Sequence, residues 1–430
     1  MLKKFMLGFG DKKVKVSLPE ERIINVVEGK SVKAITDVKA AVKAAINNPI
    51  GTPPLREIVR NGDKVAIVAS DVTRKWIRYD MFLPTLLDEL NAAGIPDSDI
   101  TLVAALGAHR GHTDEENVST YGQEVVDRVT IEQSHALNKE DFVDLGTTTR
   151  GNPVSINKHV ANADKVILTG GIVYHLMAGF GGGRKSVMPG ISSYDSIQAN
   201  HALCLNNEVG KGISDACVSG KVIDNRMHED MSEMAKMVNP AFILNAVFTA
   251  DGNFARFVAG HWYKAWEEGC KTVEEIFGVS ISGKADLVIA SAGGFPKDIN
   301  LYQGSKTVDN AFMAVKKGGV VILVLECRDI AEPPDFSDWF QYESLYDREV
   351  ALRKAFTVPG FIALKFGIMA QTSPFIVVTL PENKAFVEKV GMAAVTTIEE
   401  AITLAEQKLG RNDYTITIMP HAANTAPLIK

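Results

Sequence analysis

The chain predicts an α/β protein, built as two α/β domains with mainly parallel sheets and an interdomain active-site cleft. Three observations carry this. Apolar runs of strand length alternate with helix-like stretches along the 430 residues. The rhythm pauses near residue 280 and restarts. Polar clusters, most of them rich in glycine, follow directly on strand-like runs, which is where open α/β sheets bind their ligands.

Taken in order, the first strand is Lys64-Val65-Ala66-Ile67-Val68-Ala69, an apolar run of the kind a buried strand shows. A helix is expected over 81–93, and Asp99 to Leu106 reads as the next strand. Asp114 to Tyr121 opens on acids, which suit the positive end of a helix. Lys165 to Thr169 is a third strand, and Ser193 to Leu203 a helix. The helix-like stretch His261 to Phe277 runs into Gly278-Val279-Ser280-Ile281-Ser282-Gly283, the best place for a boundary. This gives an N-terminal domain over 1–280, carrying the glycine loop and the histidines, and a C-terminal domain over 281–430. There, Ala285 to Ser291 is a strand, Thr307 to Lys317 a helix and Val320 to Leu325 a strand, with further strands at 375–380 and 414–419. Thr397-Ile398-Glu399-Glu400 has the form of a capping box, and Gly410 ends the helix it opens.

Composition narrows the function classes. Apolar residues make up 46% and charged residues 23%, an ordinary globular balance. A net charge of −6 favours neither nucleic acid nor an anionic membrane as partner. None of the four cysteines forms a C-x-x-C pair, so they read as reduced thiols rather than zinc ligands. The basic start has too short an apolar run for a signal peptide, and no run reaches bilayer-spanning length. A cytoplasmic protein acting on a small molecule is expected.

The most informative segment is Gly179-Phe180-Gly181-Gly182-Gly183-Arg184-Lys185-Ser186. It comes close to the phosphate-binding pattern G-x-x-x-x-G-K-[ST] but fails it, because Arg184 stands where the second glycine belongs. His175 precedes this loop and His201 follows it. A glycine loop brings backbone N–H groups close to an anion, with a helix start adding positive potential. Histidines carry protons near neutral pH and ligate nickel, copper, iron or zinc. A lysine can bond covalently to a carbonyl-type or acyl group. The combination fits a metal-bearing or covalently tethered cofactor better than an ATPase. Four polar clusters follow strands directly: Asp71-Val72-Thr73-Arg74, Gly107-Ala108-His109-Arg110-Gly111-His112-Thr113, Gly170-Gly171-Ile172-Val173-Tyr174-His175, and Gly293-Gly294-Phe295-Pro296-Lys297-Asp298.

The run from His175 through Lys185 to Ile191, with Asn200-His201 beyond it, resembles the signature of the nickel-dependent lactate racemase family. Asp71-x-Thr73-Arg74, Gly107-x-His109-Arg110, and Tyr302-Gln303 with Lys306 match as well, so the resemblance spans nearly the whole chain. It implies a 2-hydroxy acid racemase or epimerase with a nickel pincer nucleotide, a pyridinium mononucleotide whose two sulfur-containing arms hold nickel. By the match, Lys185 tethers that cofactor through a thioamide, and His201 ligates nickel. His109 and His175 form the general acid/base pair. Asp71, Thr73, Arg74 and the glycines 181–183 hold the nucleotide. Tyr302, Gln303, Lys306, Arg74 and His112 are the substrate-binding candidates. The partners implied are the small acid and the proteins that make the cofactor.

The sequence departs from the family pattern at Lys75-Trp76 and at Gly111-His112. Both departures point to a different or larger acid than lactate. Phe361 and the 333–339 segment are further candidates for shaping the pocket. Two other readings stay open on the residues alone. One is a metal-dependent hydrolase with His109, His175 and His201 as ligands. The other is a two-lobed binding protein for a small acid.

Overall fold

The structure, a computed structural model, describes residues 1–429. It divides into two compact units, each with its own six-stranded sheet. One unit comprises residues 31–204 and 220–276, the other residues 1–30, 205–219 and 277–430. This differs from a single cut near 280. The reason is that Ile23–Val26 adds to the second sheet, pairing parallel with Ile416–Met419. The hairpin Leu2–Phe9 and Lys12–Pro19 buries Leu7, Val16 and Leu18 in the same core. The segment 278–281 is no loop either, since Gly278–Ile281 pairs parallel with Ala426–Ile429.

In the first unit the strand order is Phe254–Gly260, Phe242–Phe248, Lys165–Ile172, Val65–Ser70, Ile100–Ala105, Thr130–Gln133. Only the pair Phe242–Phe248 and Phe254–Gly260 is antiparallel. The central strands are apolar on both faces because helices cover them. Ile67, Leu102, Ile167 and Leu244 form a core with Tyr79, Phe82 and Leu86. Each such side chain contributes roughly 1.5–3 kcal/mol by leaving water.

In the second unit all neighbours are parallel, in the order Ala393–Val395, Phe375–Val378, Val315–Val324, Ala285–Ser291, Ile416–Met419, Ile23–Val26. The helix expected over 307–317 is Ser305–Ala314, because the strand begins at Val315. The capping box at Thr397 and Glu400 is present, and Gly410 ends its helix in the left-handed region at φ 64°. Among the described residues, no helix is long and apolar enough to cross a membrane.

Candidate active site

The chain leaves Val65–Ser70 towards Ile100–Ala105 on one side and later returns to Lys165–Ile172 on the other. Strand order reverses there, and the ends of these strands open a crevice between them. It holds a cavity of about 120 Å³ lined by Asp71, Arg74, Trp76, His109, His175 and Lys185, with Gly181, Gly182, Pro189 and Gly190 from the glycine loop. The rim is fixed from below. The Ser70 N–H donates to the Tyr79 hydroxyl at 2.8 Å, and the Tyr121 hydroxyl donates to the Ser70 carbonyl at 3.1 Å.

Asp71 opens the 3₁₀ turn Val72–Ile77 and is buried at 3% exposure. Its carboxylate accepts from Nδ1 of His109 and, at 2.5 Å, from the Thr73 hydroxyl. Burial pushes this carboxyl up, but the hydrogen bonds and charges of His109, Thr73 and Arg74 outweigh it and hold it below the usual range. An ionised carboxylate only accepts, so His109 carries its proton on Nδ1 and keeps its lone pair on Nε2. Asp71 thus holds both His109 and Thr73. Among the described residues Arg74 hydrogen-bonds only to Thr73, and it lies on the cavity wall.

His112 is placed differently from the substrate contact that the sequence suggested. Its Nε2 accepts the Val72 N–H at 2.7 Å, so Nδ1 carries the proton and faces Asn117 Oδ1 at 3.0 Å. Its ring packs on Tyr121, and it is absent from the cavity lining. The imidazole therefore supports the Asp71 turn from behind. Replacing His112 with alanine should leave the Val72 N–H without its partner and lower stability by about 1–3 kcal/mol. A urea melt of the variant against the parent checks this.

His175 has the opposite tautomer. Nδ1 accepts from the Met177 and Ala178 N–H groups at 3.2 and 3.1 Å, so the proton sits on Nε2. Desolvation, then the charges of Lys185, Arg74, Arg184 and His201, hold its pKa well below the ordinary value.

The glycine loop forms one 3₁₀ turn, Gly183–Ser186, rather than the start of a long helix. Gly182 and Gly183 have φ of 65° and 56°, and a Cβ on Gly183 would lie 2.6 Å from Trp266. Only glycine suits both conditions. The loop is tied down by the Gly183 N–H to Asn245 Oδ1 at 2.9 Å, and by the Trp266 Nε1–H to the Gly181 carbonyl at 2.9 Å. Lys185 lines the cavity, and desolvation followed by the Arg184 and Arg74 charges lowers its pKa to about 7.

His201 lies on the helix Tyr194–Ala202, capped by Ser193, and is buried. Asn200 ties this helix to the next by donating to the Met227 carbonyl at 3.2 Å and to Asp230 at 2.9 Å. The His201 Nδ1–H donates to the Ile197 carbonyl at 2.9 Å, which leaves the lone pair on Nε2. Burial and the Lys185 charge lower its pKa to about 3, so it is neutral, as a metal ligand must be. It is not part of the cavity lining.

His228 is a residue that sequence reading passed over. It stacks on Trp266 and accepts from Arg184, and burial and the Arg184 charge lower its pKa to about 3. Unfolded histidine binds a proton near pH 6.5. Unfolding therefore takes up a proton between these values, so stability is complete above about pH 6.5 and falls as pH drops, by up to about 1.4 kcal/mol per unit. Melting temperatures of the apoprotein from pH 7 to 5 should fall more steeply for the parent than for His228→Gln.

Tyr302, Gln303 and Lys306 belong to the other unit. Tyr302 and Gln303 precede the helix Ser305–Ala314, and Lys306 lies in its first turn. The Gln303 N–H donates to Asn300 at 2.7 Å, and Tyr302 packs on Phe336. Phe361 is fully buried in the helix Val358–Thr372, with Lys365 over its ring, as core rather than pocket wall.

Residues 9–212 match the lactate racemase N-terminal domain, and residues 281–425 the lactate racemase C-terminal domain. Over 422 residues the chain is 32% identical to lactate racemase of Thermoanaerobacterium thermosaccharolyticum, covering 96% of each. The chain belongs to the lactate racemase family. Lactate racemase of Lactiplantibacillus plantarum is 36% identical over 288 residues, 67% of this chain and 66% of that one. The lactate racemase apoprotein structure from T. thermosaccharolyticum superposes with a TM-score of 0.86 at 30% identity, over 99% of this chain and 100% of that one.

The residues present would fit the tethered, metal-bearing cofactor that the sequence resemblance implies. Lys185 offers an amine whose pKa lies near neutrality, and His201 a neutral imidazole with its tautomer fixed. A hydrolase with three histidine ligands fits less well. Among the described residues, no group of three or more His, Cys, Asp or Glu is placed to hold a metal ion.

Proposed function

We propose that this protein racemises or epimerises a 2-hydroxy acid, lactate or a larger relative, with a nickel pincer nucleotide as cofactor. One observation carries the reading: His109 and His175 line the same cavity as Lys185 with opposite tautomers. The pair supplies one lone pair and one N–H.

The α C–H of a 2-hydroxy acid is a poor acid, because the neighbouring carboxylate is already negative. Removing it as hydride while a base takes the hydroxyl proton avoids a dianion. When bound, the nickel pincer nucleotide supplies a hydride acceptor and donor. Lys185 would hold it through a thioamide, and His201 would ligate its nickel. His109 Nε2 receives the hydroxyl proton, and Asp71 steadies the imidazolium that forms. His175 Nε2–H donates to the substrate oxygen. Arg74, unpaired with any carboxylate among the described residues, meets an anionic group of cofactor or substrate. The 2-oxo acid is planar at C2, so hydride delivered to the face opposite the one it left would invert the centre.

Trp76 lines the cavity at 42% exposure, its ring edge on Phe248, and gives the substrate side an apolar wall suited to a larger acid than lactate. Tyr302, Gln303 and Lys306 remain the C-terminal unit's candidates for substrate binding. The four buried cysteines form no disulfide among the described residues, which suits a reducing cytoplasm, and loading would depend on the proteins that make the cofactor.

The test is a chiral screen. Cofactor-loaded protein is given single enantiomers of lactate and of 2-hydroxy acids with longer and aromatic side chains. Conversion of at least one to the racemic or epimeric mixture is expected. Loaded protein that converts none of them contradicts the reading.

A further inference from the structure

Two features of the cavity wall have no part in proton transfer or cofactor attachment: the glycines near the end of the strand Lys165–Ile172, and Trp76. Glycine weakens a strand, and it belongs there only where the backbone bends or a neighbour comes close. Neither Gly170 nor Gly171 has a positive φ, so the backbone conformation does not require them. Space requires Gly171. A Cβ there would lie 2.9 Å from Phe248 Cε2, 3.1 Å from Ile77 Cγ1 and 3.2 Å from Trp76 Cη2. At Gly170 the nearest atom would be 3.6 Å away, which is ordinary contact. Gly171 is thus the notch that receives the far end of the Trp76 indole.

The indole is held elsewhere as well. Its ring centre lies 5.2 Å from that of Phe248, with the planes at 69°. Both Phe248 and the neighbouring Ile77 are buried. The turn Val72–Ile77 that carries Trp76 closes on Arg78, whose N–H donates to the Lys75 carbonyl at 2.9 Å. The Arg78 guanidinium in turn lies over Phe254, 5.0 Å from its ring centre. Trp76 nevertheless keeps 42% of its surface exposed, on the cavity. An indole that was only core would be covered. One that was only surface would not have a strand glycine making room for it. A fixed indole with a free side on a cavity wall is a platform for a flat apolar group, because rings add offset or edge contacts to plain apolar burial.

We propose that Trp76, seated on Gly171, is the specificity-determining wall of the site, and that the substrate class is the 2-hydroxy acids with an aryl group on C3. This rests on the reading of the cavity as a 2-hydroxy acid site and narrows it. The substrate hydroxyl goes to His109 and His175, and the side chain to the indole. Arg74, on the same turn as Trp76, offers a cation to an anionic group beside them. The methyl group of lactate covers little of an indole and leaves the rest of it in water. A phenyl ring covers far more.

The experiment gives cofactor-loaded protein single enantiomers of lactate and of 3-phenyllactate. For the parent, kcat/KM should be higher for 3-phenyllactate by about tenfold or more, chiefly through KM. Trp76→Ala should cut that preference by about tenfold or more, whereas Trp76→Phe should keep most of it. Gly171→Ala, which crowds the indole without removing it, should lower the preference in the same direction. Peptide mass spectrometry should find the Lys185 adduct of Trp76→Ala at the parent's level. A parent that turns over lactate as efficiently as 3-phenyllactate overturns the proposal, and this result stands even where a variant fails to fold. So does a Trp76→Ala enzyme that keeps the parent's preference. A Trp76→Ala protein that loses the adduct and keeps the preference assigns the indole to the cofactor and overturns the proposal too. Loaded protein that converts no 2-hydroxy acid at all removes the underlying reading, and this inference with it.

Discussion

Replacing His109 with alanine should lower kcat of the loaded enzyme by about 10²–10⁴-fold, the usual worth of a positioned general base. Substrate and product are mirror images for lactate, so the equilibrium constant is one, and kcat/KM must fall equally in both directions. Asp71→Asn should cost about 10²-fold or more, since the amide can still hold Nδ1 but cannot stabilise the imidazolium by charge. The double variant should be little worse than His109→Ala, because the two residues act as one unit on the cavity wall. Chiral chromatography of single-enantiomer reactions gives all three rates. A His109→Ala enzyme within tenfold of the parent would remove the base from the account.

Replacing Lys185 with alanine should abolish turnover and cofactor attachment while leaving the fold intact. The amine lines the cavity and pairs with no carboxylate among the described residues, so its loss breaks no ion pair. Its loss removes a group whose charged form is disfavoured by desolvation and by the Arg184 and Arg74 charges. The variant should therefore melt at or above the parent's temperature in the apo form at pH 7. Differential scanning calorimetry and a racemisation assay after co-production with the cofactor-forming proteins check both halves.

The sequence made the strand rhythm and the glycine loop legible, because both are local. Ala285–Ser291 appears as expected, and the Thr397 capping box is decided within four residues. The place of Ile23–Val26 was not legible, since its partner Ile416–Met419 lies almost the whole chain away. The cavity drew together Asp71, Arg74, His109, His175 and Lys185, which sequence could only group by their position after strands.

Partners across space decided the rest. Nothing local reveals that Val72 and Asn117 occupy the nitrogens of His112. Nor does anything local reveal that the Asp71 carboxylate holds His109. Asn245 and Trp266, which clamp the glycine loop, come from a distant strand and helix and carry no local signal. A buried Arg184 beside Lys185 was readable only as a broken motif. Its guanidinium donates to the Ala178 and Phe180 carbonyls, which explains why arginine stands there.

The central claim is that Lys185 is the covalent anchor of the cofactor. Peptide-resolved mass spectrometry of the active protein, co-produced with the cofactor-forming proteins, tests it most directly. The account predicts a nucleotide-sized adduct on Lys185, absent from Lys185→Ala. An enzyme that racemises its substrate with Lys185 unmodified would contradict it.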